Sequence, residues 1–319
     1  MKILVLGAGA IGGYVGGRLQ QAGSDVTFLV RPARQQALQR DGLVIRSKKG
    51  DATLQVKTVL GGAEGGPYDV VIVTCKAYDL DSAIEAIAPA VGPDTTVVPL
   101  LNGMNHIDRL VARFGAERVV GGLARIGVAL SAEGTVLHTS PFAAISFGEL
   151  DGGRDGAAAR ASLVALDEAV KKAGLDGGLH NRIVQDLWDK WIMLCTLAAM
   201  TTLLRGTVGD ILESAEGQEI VLETVEECRK VAAAAGCDPG EKGMANVRGY
   251  LTQKGSMFAA SMLHDLEKGG MVEADHVVGD MIARARKAGI ATPNLRIAHA
   301  HLQAYLARRA RNGLGSLTK

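Results

Sequence analysis

Apolar positions along the chain follow two rhythms. Through the first half, short β-branched runs alternate with stretches of helical spacing, which is how a parallel sheet with crossover helices reads. Strands are predicted at 2–6, 26–30, 70–74 and 96–100. Between the second and third, 43–45 and 54–56 read as a hairpin around the turn residues Lys49, Gly50 and Asp51, expected as a peripheral insertion. Further β-rich segments recur from 119 to 148, at intervals too short for helices, and are expected to complete the sheet with antiparallel strands. A helix is predicted over 157–173, and the glycine-rich stretch 174–178 marks a candidate linker.

Beyond that stretch the rhythm is helical and no strand is predicted. Val184, Leu187, Trp188, Trp191, Leu194, Cys195 and Ala198 recur in steps of three and four, so this segment is read as one long amphipathic or largely buried helix. Further helices are expected at about 216–235, 241–266, 275–289 and 293–310, the last opening on Pro293 in its first turn. Residues 312–319 read as a loose tail, and no internal repeat is evident. The expected fold is thus α/β, with a dinucleotide-type N-terminal domain followed by an all-α C-terminal domain.

A length of 319 residues suits two domains, taken as 1–178 and 179–319, with a cleft between them. The apolar fraction of 47% and charged fraction of 22% allow a packed core and exclude global disorder. With 35 basic and 34 acidic residues the net charge is +1, which offers no field for nucleic acid or an anionic membrane, so a small-molecule partner is expected. Cys75, Cys195, Cys228 and Cys237 are scattered, with no metal-ligand spacing; they read as free thiols in a reducing, cytoplasmic compartment, and no metal is expected. The N-terminus lacks a signal-peptide core. The longest apolar stretch, 192–204, falls short of the ~20 residues that span a bilayer.

The first strand runs directly into Gly7-Ala8-Gly9-Ala10-Ile11-Gly12, and this strand-to-helix context gives a G-x-G-x-x-G string its meaning. Gly7 permits the tight turn, Gly9 lets a pyrophosphate approach the backbone, and Gly12 lets helix and strand pack closely, as in a Rossmann-type domain. The helix N-terminus then presents unpaired N–H groups to the phosphates. An acidic side chain after the second strand would bind the ribose 2′-hydroxyl of NAD; here the chain reads Leu29-Val30-Arg31, with Arg34 nearby. A guanidinium there suits the 2′-phosphate of NADP. Lys76 and Asn102 each fall just beyond the carboxyl end of a predicted strand, where ligands bind in open α/β sheets.

Several strings together resemble the ketopantoate reductase family in order and spacing. They are Val73-Thr74-Cys75-Lys76-Ala77, Leu101-Asn102-Gly103-Met104, Leu187-Trp188-Asp189-Lys190, and Ser261-Met262-Leu263-His264-Asp265 with Glu273 twelve residues after Ser261. The resemblance spans nearly the whole chain. It implies reduction of a 2-oxo acid by NADPH, with catalytic groups in the interdomain cleft. Lys190 matches the family's general acid, Glu273 the acid that engages the substrate's hydroxyl groups, and Ser261 the hydroxyl that helps hold its carboxylate. Lys76 and Asn102 match the pair beside the nicotinamide and substrate, and the family's dimers imply a homodimer. Read alone, Lys190 is four residues after Asp186 and makes half of an exposed helix ion pair, while Glu273 is a capping charge.

The pattern breaks at two positions. The family carries asparagines four and eight residues after the catalytic lysine; here Leu194 and Ala198 stand there, on one helical face. The substrate expected is therefore either 2-dehydropantoate or a 2-oxo acid with a more apolar side chain. Two other readings stay open: a 3-hydroxyacid-type dehydrogenase, which needs a glycine-rich carboxylate loop late in the first domain, and a non-catalytic NADP-binding regulator.

Overall fold

The computed structural model describes residues 1–62, 64–151 and 160–313; the first residues of the expected 157–173 helix and most of the 312–319 tail lie outside them. The chain forms two compact units, one comprising Met1–Leu101 with His106–Val184, the other Asn102–Asn105 with Gln185–Lys319.

In the first unit the strands are β1 (Lys2–Leu6), β2 (Asp25–Leu29), β3 (Leu43–Ser47), β4 (Ala52–Leu54), β5 (Lys57–Val59), β6 (Val70–Val73), β7 (Thr96–Pro99), β8 (Gly121–Leu130), β9 (Val136–Gly148) and β10 (Asp176–Leu179). The helices that begin within its sequence span are α1 (Ala10–Gln21), α2 (Pro32–Asp41), α3 (Leu80–Ile87), α4 (Asn105–Phe114) and α5 (Ala161–Lys172). One sheet has the order β5-β2-β1-β6-β7, with every pairing parallel. In terms of its own strands this is the order 3-2-1-4-5, so the winding reverses between β1 and β6, and the crevice for a ligand lies at the carboxyl ends there. Successive residues serve opposite faces. Ile3 and Val5 enter one core with Phe28, Val70, Ile72 and Val98, whereas Leu4 and Leu6 enter another with Leu29, Val71, Val73 and Val97. Burial on both faces is why these strands are continuously apolar.

The four strands expected for this sheet are present within a residue at each end. The edge strand β5 was not foreseen; three residues reading Lys-Thr-Val carry too little pattern. The hairpin proves to be no peripheral insertion. β3 and β4 pair antiparallel, but β3 also pairs parallel with β9, and Leu43 and Ile45 are fully buried. β8 and β9 pair antiparallel as expected, yet they belong to this second sheet, ordered β10-β9-β3-β4 with β8 on the other side of β9. The stretch expected as a linker contains all but the last residue of β10, which pairs parallel with β9. Glycine is required there: Gly177 has φ +91°, and a Cβ on it would stand 2.3 Å from the carbonyl oxygen of Ile145.

Among the described residues the second unit is wholly helical, with α6 (Ile183–Leu204), α7 (Val208–Leu212), α8 (Gly217–Ala234), α9 (Gly240–Leu251), α10 (Ser261–Glu267), α11 (Asp280–Lys287) and α12 (Pro293–Arg311). The single helix expected over 241–266 is two helices, α9 and α10, and α11 is preceded by a π-type turn, Asp275–Gly279. At 22 residues α6 is longer than its apolar stretch suggested and is long and apolar enough to cross a membrane, but 67% of its apolar run is buried within the protein. Glu227 of α8 caps α12 from outside, accepting hydrogen bonds from the backbone N–H groups of Asn294 (2.9 Å) and Leu295 (3.1 Å).

Candidate active site

The glycine loop is built as the sequence requires. The N–H of Gly7 donates to the carbonyl of Leu29 at 2.9 Å, and the left-handed φ of +90° at Gly7 turns the chain out of β1. Gly9 is the N-cap of α1, whose first intrahelical bond runs from Gly13 N–H to Gly9 carbonyl, so the N–H groups of the preceding turn have no partner within the helix. A Cβ on Gly12 would stand 2.2 Å from the carbonyl oxygen of Gly7 and 2.4 Å from Oγ1 of Thr74, whereas one on Gly9 would meet nothing within 4 Å. Gly12 is therefore needed for packing, and Gly9 leaves open space where the helix N-terminus points.

Thr74, just after β6, has a structural task that nothing in the sequence signals. Its hydroxyl donates to the Leu6 carbonyl at 2.8 Å, pinning the end of β6 to the end of β1 beneath the loop. Arg34 donates from Nε to the Ala8 carbonyl at 3.0 Å, while its Nη2 is buried without a hydrogen-bond partner; burial holds this guanidinium below its ordinary pKa. Its uncompensated charge beside the loop fits an anionic dinucleotide as neighbour. Arg31 is exposed at the N-cap of α2 and pairs through Nη2 with Asp79 at 3.0 Å. Lys76 is half-buried, immediately before the short 3₁₀ turn that contains Asp79.

A second set of residues gathers on α6. Lys190 donates from Nζ to Oδ1 of Asn102 at 2.9 Å, which joins α6 to the loop that follows β7. That loop, Asn102–Asn105, belongs to the helical unit. Trp191 donates from its indole nitrogen to the carbonyl of Val277 at 2.9 Å, and Val277 N–H donates to the carbonyl of Glu273 at 3.0 Å. Farther along, Thr201 accepts from the backbone N–H of Ala260 at 3.4 Å, the residue before Ser261. The helix thus has a direct bond to Asn102, a two-bond link to the backbone of Glu273, and a bond next to Ser261. Glu273 is half-buried and Ser261 exposed at the start of α10. One and two turns on from Lys190, Leu194 is half-buried and Ala198 buried.

A parallel sheet wound 3-2-1-4-5 with a glycine cradle at its switch point, joined to a helical unit with a lysine on its longest helix, defines a two-domain nicotinamide-dinucleotide oxidoreductase. Residues 3–152 match the family described as ketopantoate reductase PanE/ApbA, and residues 182–306 match its C-terminal counterpart. The chain belongs to the ketopantoate reductase family. A Bacillus subtilis protein described as an uncharacterized oxidoreductase, YkpB, is 36% identical over 97% of this chain and 100% of its own length. A 2-dehydropantoate 2-reductase of Mesorhizobium japonicum is 30% identical over 92% of this chain and 94% of its own. The crystal structure of 2-dehydropantoate 2-reductase from Geobacter metallireducens, 28% identical, superimposes with a TM-score of 0.85 over 95% of this chain and 99% of that one.

Proposed function

We propose that the chain reduces a 2-oxo acid to the 2-hydroxy acid with NADPH, Lys190 acting as general acid, and that the substrate's side chain is more apolar than that of 2-dehydropantoate (ketopantoate). The observation that carries this reading is the 2.9 Å bond from Lys190 Nζ to Asn102 Oδ1. The ammonium is held, within the helical unit, by the amide of the loop that follows β7.

The cofactor, when bound, supplies a hydride to the carbonyl carbon. As negative charge develops on the carbonyl oxygen, Lys190 Nζ stabilises it and gives up a proton. Asn102 accepts one of the three N–H groups of the ammonium and so fixes the direction in which another meets the substrate oxygen. Ser261 engages the carboxylate; Glu273 would engage a substrate hydroxyl, which 2-dehydropantoate carries and the apolar acids lack. On the cofactor side Gly7 to Gly12, with Ala8, Ala10 and Ile11 between them, cradle the pyrophosphate, and Lys76 and Asn102 border the nicotinamide. Arg31 would hold the 2′-phosphate, exchanging the half-buried Asp79 carboxylate for a doubly charged phosphate; an ion pair whose guanidinium is exposed costs little to exchange.

Leu194 and Ala198 support the substrate class. Neither can accept or donate a hydrogen bond, and a substrate hydroxyl facing either would lose about 1–3 kcal/mol of unmatched hydrogen bonding. The relative named 2-dehydropantoate 2-reductase favours the second reading, in which 2-dehydropantoate itself is reduced. Steady-state kinetics with 2-dehydropantoate, 4-methyl-2-oxopentanoate and phenylpyruvate decide between them. The apolar acids are expected to give at least about tenfold higher kcat/KM, one hydrogen bond's worth; an equal or better value for 2-dehydropantoate overturns the apolar assignment. A homodimer belongs to the same reading and is tested by sedimentation at twice the chain mass.

A further inference from the structure

Adjacent residues on a helix project about 100° apart, so Trp191 cannot share the face of Lys190. Trp191 is 1% exposed and packs into the interior of the helical unit. Its indole N–H ends on the carbonyl of Val277, in the π-type turn Asp275–Gly279 that begins two residues after Glu273. Such turns are a break in the α-helical ladder and have a marginal hydrogen-bond register of their own. Here the register is held from three sides. Trp191 takes the Val277 carbonyl, and the Val277 N–H returns to Glu273. Gly103, with φ +81°, lies so close that a Cβ on it would stand 3.2 Å from the carbonyl oxygen of His276, and Gly103 follows the Asn102 that binds Lys190. Arg284 lies over the rings of Trp188 and Trp191, 5.9 and 5.7 Å from their centroids, and donates to Asp280, the residue that follows the turn, at 3.0 Å.

We propose that Trp191 is a positioning residue: through the Val277 carbonyl it sets the Glu273 segment against the helix position of Lys190, and so the orientation in which a bound carbonyl meets its acid. The inference rests on the reading of Lys190 and Glu273 given above. Two features separate it from ordinary core packing. The bond is a single directional N–H to a carbonyl buried with it, and its far end is two residues into a turn that opens two residues after Glu273. Loss of that N–H leaves the ring volume filled and the cofactor domain untouched, but releases the turn.

The test compares Trp191→Phe, Trp188→Phe and Lys190→Ala, using 2-dehydropantoate or 4-methyl-2-oxopentanoate, whichever turns over faster, and NADPH deuterated at the transferred position. Trp188 neighbours Trp191 with ring centroids 5.0 Å apart and also lies under Arg284, and among the described residues its indole makes no hydrogen bond, so the same truncation there removes ring area and part of the Arg284 stacking but no N–H bond. Trp191→Phe is expected to lower kcat by on the order of 10- to 100-fold, the scale of a small misplacement of reacting groups, and to raise the isotope effect on kcat. Its NADPH affinity, read by fluorescence titration, stays within about twofold, since the glycine cradle is untouched. Partial unfolding would lower kcat without changing the isotope effect. Should the phenylalanine variant fail to fold, β-(3-benzothienyl)alanine at position 191 keeps the bicyclic ring and removes only the N–H. If Lys190→Ala is inactive while the Trp191 variants keep the parent kcat and isotope effect, the positioning role is refuted; if Lys190→Ala turns over normally, the reading beneath it fails instead.

Discussion

Alanine at Gly9 and at Gly12 should have opposite signatures. At Gly12 the added methyl would overlap the main-chain carbonyl of Gly7 (2.2 Å) and the Thr74 hydroxyl (2.4 Å), with Val5 Cγ1 at 3.2 Å, and neither backbone nor strand end can yield cheaply. Overpacking of this kind costs about 1–3 kcal/mol. At roughly 2–4 °C per kcal/mol for a unit of this size, the apo Tm falls by about 2–12 °C. At Gly9 the methyl meets nothing within 4 Å and φ is −81°, so strain is absent. The poorer N-cap quality of alanine, up to about 1 kcal/mol, is offset by the reduced entropy of the unfolded chain, about 0.4–1 kcal/mol. Gly9→Ala should therefore leave the apo Tm within about 2 °C. Its methyl nevertheless occupies the approach to the helix N-terminus, where each lost charge-assisted bond is worth about 1.5–3 kcal/mol. The Kd for NADPH should rise on the order of 10- to 100-fold, measured by nucleotide fluorescence alongside differential scanning calorimetry of the apo protein. Undiminished NADPH affinity in Gly9→Ala would refute the cradle.

Other substitutions address cofactor choice, substrate and pH. Arg31→Gln should weaken NADPH by about tenfold or more and leave NADH nearly unchanged, because only the 2′-phosphate contact is lost; Asp79→Asn, which removes the rival partner of Arg31, should tighten NADPH by a few-fold in the same titration. Leu194→Asn with Ala198→Asn should raise kcat/KM for 2-dehydropantoate relative to 4-methyl-2-oxopentanoate by about tenfold, and lower stability by roughly 1–3 kcal/mol because Ala198 is buried. Burial pushes the Glu227 carboxyl up despite its two backbone donors. A raised folded-state pKa gives stability that is complete below the unfolded value of about 4.3 and is lost as pH rises through the folded value. The Tm of Glu227→Gln relative to the parent should therefore improve between pH 4 and neutrality; a difference that is flat or falls with pH contradicts this.

The parallel sheet was legible because buried strands are apolar on both faces and need no partner context. What was illegible depended on partners far along the chain. Nothing in Leu43-Val44-Ile45 announces that β3 will pair with Val136 to His138, so by its sequence alone the hairpin reads as peripheral. Asp176-Gly177-Gly178-Leu179 has the composition of a linker, yet its glycines serve a strand that approaches β9 too closely for a side chain. On the site side, G-x-G-x-x-G after a strand was readable by itself, whereas Lys190 and Glu273 look like ordinary helix charges until a family motif is laid over them. The Arg31 to Asp79 pair, the Arg34 bond to the loop and the Trp191 bond to Val277 join residues 26 to 86 positions apart and leave no periodic trace.

The central claim is that Lys190 supplies the proton in an NADPH-driven carbonyl reduction. It is tested most directly by Lys190→Ala, with NADPH oxidation followed on 2-dehydropantoate and the apolar 2-oxo acids, and NADPH affinity measured on the same preparation. A fall in kcat of about 10²- to 10⁴-fold on every acid that the parent reduces, with the NADPH Kd unchanged within about twofold, is the predicted result. Turnover within a few-fold of the parent, by a variant that binds NADPH normally, would contradict it.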